Sequence, residues 1–149
     1  MSRGQKRKTF GWILLIIYIG VLLYFMFFSD VLFRNERTVV RRANFTLLSQ
    51  IKLFWSVRYT NTKLMLVNLL GNMAIFAPFG FLVPTISRNK SYTNIFSVTA
   101  MAALFSTGIE VVQILTKVGR FDIDDILLNT IGAVCGYLVY MVVRLFKRG

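Results

Sequence analysis

Four long apolar runs, separated by short polar stretches, organise the chain: Phe10 to Phe28, Leu64 to Pro84, Asn94 to Leu115 and Ile126 to Phe146. A helix rises about 1.5 Å per residue, so crossing a hydrocarbon layer of roughly 30 Å takes about 20 residues. Each run is long enough. The pattern predicts an all-α integral membrane bundle of four transmembrane helices (about 10–28, 64–84, 94–115 and 126–146) forming one domain over residues 1–149. The stretch between the first two runs is built differently. Phe45, Leu48, Ile51, Phe54 and Trp55 recur there at helical spacing, with Arg41, Arg42, Lys52 and Arg58 between them. That alternation predicts an amphipathic interfacial helix over about 39–59 in the first loop, lying with its apolar face in lipid.

Composition agrees with the pattern: 56% hydrophobic, 15% aromatic and only 16% charged residues make the chain too apolar for a soluble domain of 149 residues. The formal charge of +12 would point to nucleic acid in a soluble protein. Here the Lys and Arg residues gather beside the helix ends, where they meet anionic headgroups, so membrane lipids are the expected partners and nucleic acid is not. Nine cations fall on each side of the membrane, and the balance leaves the first helix to set orientation. Its leading flank carries Arg3, Lys6, Arg7 and Lys8 against Asp30 on the far side, which places both termini in the cytoplasm of a multi-pass cell-membrane protein. The first run is longer than the apolar core of a secretory signal and ends in Phe27-Phe28-Ser29-Asp30 without a small-residue cleavage pattern, so it reads as an uncleaved helix.

One polar string breaks the apolar pattern where a membrane protein tolerates it least. Glu110, Gln113, Arg120, Asp122, Asp124, Asp125 and Asn129 join the end of the third run to the start of the fourth, and hold four of the six acidic residues in the chain. Ionisable groups at membrane depth are costly, which makes them candidates for function. Ser106, Glu110, Gln113 and Lys117 fall at three- and four-residue steps and form one stripe on helix three; Asp122, Asp125, Asn129, Gly132 and Gly136 form the facing stripe on helix four. Its lower part, Gly132-Ala-Val-Cys-Gly136, is a G-x-x-x-G, which lets backbones approach in lipid. An antiparallel hairpin of the two helices brings Glu110 and Asn129 to similar depth, facing one cavity. Glu110 needs compensation there, from Arg120 or a first-loop arginine, with Gln113 as hydrogen-bond partner.

Each of these residues also has a plainer reading. Asp122 followed by Asp125 fits an N-cap with an acidic third position, and carboxylates near a helix start are stabilising on dipole grounds alone. Capping leaves Glu110 unexplained. On helix two, Asn68 and Asn72 share a face beside Gly71 and serve either as interhelical hydrogen-bond partners or as ligand contacts. Pro78 removes a backbone donor and predicts a kink near Ala74. In the first loop, Arg42 and Arg58 either anchor to headgroups or grip a phosphate of a lipid-linked ligand. The resulting candidate ligand set is Arg42, Asn72, Glu110, Gln113, Arg120, Asp122, Asp125 and Asn129.

The chain has no histidine, and its one cysteine, Cys135, lies among small residues of helix four. Histidine acid–base chemistry, the usual zinc sites and disulfides are thereby excluded. Two function classes follow. The first is a binding protein without a cofactor or metal, holding an amphiphilic small molecule or a lipid-linked cell-wall precursor at an intramembrane polar pocket. The second is an enzyme acting on a lipid phosphate or pyrophosphate, with Mg2+ held by Asp122, Asp124, Asp125 and Glu110, and with Arg42 or Arg120 clamping phosphate. Binding is the favoured class, because D-x-D-D beside a helix start is an unspecific metal signal. No residue is assigned a catalytic role.

Several motifs in order resemble the VanZ-like family. Helix two follows N-x-x-x-F-x-P-x-G-x-x-x-P through Asn72, Phe76, Pro78, Gly80 and Pro84; helix three supplies E-x-x-Q as Glu110 and Gln113; and the last loop and helix supply Arg120, Asp122, Asp125, Asn129 and Gly132. The resemblance spans about Arg42 to Tyr140. The family often has Asn-Leu-x-Pro-Phe in its first loop, whereas Arg42-Ala-Asn44-Phe45-Thr46-Leu47 lacks the proline. The resemblance implies a small bacterial membrane protein, in a family whose founding member is linked to resistance to the lipoglycopeptide teicoplanin. It implies no established reaction.

Overall fold

The computed structural model describes residues 3–32, 44–46, 48, 62–87, 93–117 and 121–147. They form four helices: α1 (Arg3–Leu32), α2 (Thr62–Ile86), α3 (Ile95–Leu115) and α4 (Ile123–Phe146). Each contains a span long and apolar enough to cross a membrane: Thr9–Phe27, Leu69–Ile86, Ile95–Leu115 and Ile123–Phe146. Among the described residues there is no strand, and one isolated parallel bridge joins Asn44 to Asp122. Most of the expected interfacial helix at 39–59 lies outside the described residues.

The helix boundaries follow from local chemistry. The α3 start is capped by Asn94, whose side chain accepts the Ser97 N–H at 2.8 Å. Its end passes through Lys117, whose φ of 59° lies in the left-handed region that commonly closes helices. The fourth helix begins three residues earlier than the apolar run suggests. Asp122 is its N-cap, accepting the Asp124 N–H at 3.0 Å, and Asp124 and Asp125 occupy its first turn with Arg144 in its last. Acidic residues at one end and a basic one at the other complement the helix dipole. The α2 helix runs without a break through Pro78 and Pro84.

The packing centres on α2, which lies between α1 and α4 and makes its most extensive contact with α4. Phe76 and Phe79 of α2 meet Leu22 and Met26 of α1, Ala102 and Ile109 of α3 and Ala133 of α4 in one buried cluster. The Phe79 and Phe105 rings stack with centroids 5.6 Å apart. The outer faces carry exposed Phe96, Leu104, Leu138 and Val142, as lipid contact demands.

The closest helix approach differs from the expectation. Gly132 and Gly136 pack against α2, not against the polar stripe of α3: a Cβ on Gly132 would run into the Met73 backbone, and one on Gly136 into the Ala77 backbone. Gly80 of α2 answers from the other side, where a Cβ would overlap the Ala133 carbonyl. The three glycines make a single seam. The physical reason is order in the sequence: α2 and α4 run in the same direction, so Met73 and Ala77 advance alongside Gly132 and Gly136, while α3 runs antiparallel to α4. The antiparallel α3–α4 pairing itself is as expected, with Glu110 beside Asp122, Ser106 beside Asn129, and the Tyr137 hydroxyl donating to the Thr93 carbonyl at 2.9 Å.

Candidate functional site

The polar residues gather where the α3–α4 turn meets the first loop. Asp122 is the hub, and it is 1% exposed. Its backbone N–H donates to Glu110 Oε2 at 2.8 Å, and its carboxylate accepts the Asn44 side-chain amide at 2.9 Å as well as the Asp124 N–H. The backbone of Asn44 bridges the same place, its N–H donating to the Phe121 carbonyl at 2.8 Å and its carbonyl accepting the Ile123 N–H at 3.2 Å. Two residues on, the Thr46 N–H turns back to the Asn44 side-chain oxygen at 3.1 Å. The Leu48 N–H then donates to the Asp124 carboxylate from a backbone with φ of 62°, a region that a leucine rarely adopts. Phe45 sits against Phe121, ring centroids 5.5 Å apart. Asp122 and Asp124 thus fasten the loop to the end of the helix pair.

Glu110 completes a cap of an uncommon kind. In a capping box the N-cap N–H is accepted by an acidic or amide side chain three residues into the same helix. Here that position is Asp125, whose carboxylate instead accepts the Asn72 amide of α2 at 2.8 Å. Glu110 supplies the acceptor from the neighbouring helix. The sequence expectation that Gln113 would partner Glu110 gives way to a different bond: Gln113 Nε2 donates to the Met26 carbonyl of α1 at 2.7 Å. Its stripe position on α3 points it across the bundle to α1.

One turn deeper, Asn129 Nδ2 donates to Ser106 Oγ at 2.9 Å. Asn129 has no exposed surface, and its Oδ1 is the one fully buried side-chain atom among the described residues that has no hydrogen-bond partner. Glu110 and Asn129 therefore share the α3–α4 seam but are held by different partners. The structure brings together Asn72, Glu110, Asp122, Asp125 and Asn129 at this end of the bundle, and adds Asn44, Asp124 and Ser106 to them. Gln113 faces α1. Arg42, Arg58, Arg120 and the side chain of Asn68 lie outside the described residues.

Donor geometry bears on the metal alternative. Glu110, Asp124 and Asp125 each turn to a different partner, the Asp122 N–H, the Leu48 N–H and the Asn72 amide. Among the described residues no three of His, Cys, Asp and Glu are grouped to hold a metal ion. The four carboxylates of the Mg2+ alternative, Glu110, Asp122, Asp124 and Asp125, each accept an N–H group of the protein.

Asn44 is the contact that sequence reasoning missed. Its signal was the asparagine of the family's first-loop motif, which stands in this chain without the proline that usually follows.

Four helices long and apolar enough to cross a membrane, with Asn44 and Leu48 held by buried carboxylates at the start of the last one, mark a multi-pass membrane protein. The chain belongs to the VanZ/LLP1 family, whose match covers residues 13–144 and so reaches into all four helices. No curated protein and no solved structure matches the chain.

Proposed function

We propose that this protein binds an amphiphile, either a lipoglycopeptide or an envelope lipid, at the polar junction of α2, α3, α4 and the first loop, and thereby lowers susceptibility to glycopeptides of the teicoplanin type. The observation that carries the reading is Asn129 Oδ1. A buried acceptor without a donor costs about 1–3 kcal/mol, and native structures retain few such atoms. A hydroxyl or amide N–H of a ligand would satisfy it. The surrounding Asn72–Asp125 and Glu110–Asp122 pairs give the same junction further polar groups, and the membrane supplies hydrocarbon for an acyl tail beside it. Asn44 and Leu48 of the first loop, fastened to Asp122 and Asp124, bring further backbone and amide groups to the same junction. The basic flank of α1 favours cytoplasmic termini, and with that orientation the junction lies on the external side.

The test is expression in a susceptible Gram-positive host. Tolerance should rise more for a lipid-tailed glycopeptide than for one without the tail, since each buried CH2 contributes roughly 0.8 kcal/mol. Asn129→Ala or Asp125→Ala should abolish that difference at unchanged membrane levels of the protein. Equal protection against both drugs would remove tail recognition; protection surviving both variants would remove the junction as the site.

A further inference from the structure

A second candidate site lies midway along the bundle and shares no residue with the polar junction. A lateral cavity of about 720 Å3 opens between α1 and α4, with α2 as its floor. Leu14, Tyr18, Ala77, Pro78, Gly136 and Val139 are among its lining, which is almost wholly apolar. The slot has room because part of its floor is made of small or ring-closed residues, Ala74, Ala77 and Pro78, with Phe81 and Leu82 beyond them. Tyr18 presents only its ring. Its hydroxyl is turned inward and donates to the Ile75 carbonyl at 2.6 Å.

We infer that this slot holds one acyl chain of an anionic phospholipid from the leaflet on the side of the chain termini. Depth supports the chain: all three walls lie within membrane-crossing spans, so hydrocarbon is the medium that meets the opening. Charge selects the headgroup. The lining offers no polar partner, so the headgroup must sit at the rim, and on α4 the lining residue Val139 precedes Arg144 and Lys147 at the helix end. Lys147 follows Val139 by two turns, about 12 Å along the axis, and the basic head of the chain, Arg3 to Lys8, begins α1 at that same end. A phosphate diester there meets cations with its chain already in the slot.

Native mass spectrometry of the full chain, released from vesicles of equimolar phosphatidylglycerol and phosphatidylcholine with identical chains, tests this. One phosphatidylglycerol should be retained per chain, with a preference over phosphatidylcholine of about thirtyfold for a rim of two cations. Ala74→Phe, which places a ring in the slot, should lower retention severalfold, and so should Val139→Phe on the opposite wall. Leu104→Phe on the outer face of α3 should leave it unchanged. Replacing Arg144 and Lys147 together by Gln should bring the preference to near unity while the lipid is still retained. Retention that survives Ala74→Phe and Val139→Phe would overturn the slot. An equal intake of both lipids by the unaltered chain would overturn the anionic assignment, and a dimer in place of the lipid would give the slot to a second copy of the chain.

Discussion

The start and the middle of helix α4 are held by opposite means. At its start, Asp122 and Asp124 fix a loop by accepting N–H groups, and Glu110 from α3 closes the cap. Along its middle, Gly132 and Gly136 fix a helix by carrying nothing, so that the Met73 and Ala77 carbonyls of α2 come directly against the backbone. Apolar burial gives no drive between helices in lipid. The bundle therefore relies on satisfying backbone donors where the chain leaves the helix, and on close backbone contact, including weak Cα–H···O attraction, where it stays within one. The first means places polar groups where a ligand can compete for them. The second leaves none to compete for.

The seam offers the largest effect. Gly80→Ala or Gly136→Ala puts a methyl into the backbone of a facing helix, which has no rotamer to move aside. The expected loss is at the upper end of the usual overpacking range of about 1–3 kcal/mol. Gly108→Ala on α3, where nothing lies within 4 Å of the added carbon, should be neutral or stabilise by up to about 1 kcal/mol. Unfolding of the detergent-solubilised protein with increasing SDS measures all three. Equal behaviour of Gly136→Ala and Gly108→Ala would show that close approach does not hold α2 to α4.

The cap comes next. Glu110→Ala leaves the buried Asp122 N–H without its acceptor, in front of a helix whose own carbonyls cannot reach it, and should lower stability by about 1–3 kcal/mol. Glu110→Gln retains an acceptor oxygen and removes the charge. It should insert and unfold nearly as the parent does, yet lose glycopeptide protection if the ligand reads the carboxylate. Full protection by the Gln variant would reduce Glu110 to a cap, a role that the antibiotic-tolerance and SDS measurements separate.

Hydropathy alone located the four helices, because length and apolar content in lipid leave few alternatives. It put the start of α4 three residues late, and the N-cap reading of Asp122, with Asp125 in the third position, gives the start that the structure shows. The polar residues of the junction were legible as exceptions to the apolar pattern; their pairings were not. Spacing on one helix fixes which residues share a face, but the facing helix is chosen by the packing of the whole bundle. Hence Gly132 and Gly136 were assigned toward α3 and meet α2, and Gln113 was assigned to Glu110 and meets α1. Asn44 was hardest of all. Its bridge to Asp122 closes 78 residues of chain, and no local pattern encodes that.

The smallest effect sharpens the distinction between a bond that has no substitute and one that adds to a group already satisfied. Gln113 is buried, and its amide donates to the Met26 carbonyl. That carbonyl lies inside α1, where the helix supplies its own N–H donor. Gln113→Leu removes the donor and the side-chain oxygen together and leaves no buried backbone group unmet, so its expected loss is about 0.6 kcal/mol, the average for interhelical hydrogen bonds in membranes. Glu110→Ala strips the acceptor from a buried N–H at the start of a helix. The two bonds are nearly equal in length, 2.7 and 2.8 Å, so distance cannot separate them. If Gln113→Leu destabilises the SDS unfolding transition as much as Glu110→Ala, the local supply of partners is not what sets the strength of these contacts, and the special place given to the Asp122 cap would have to be withdrawn.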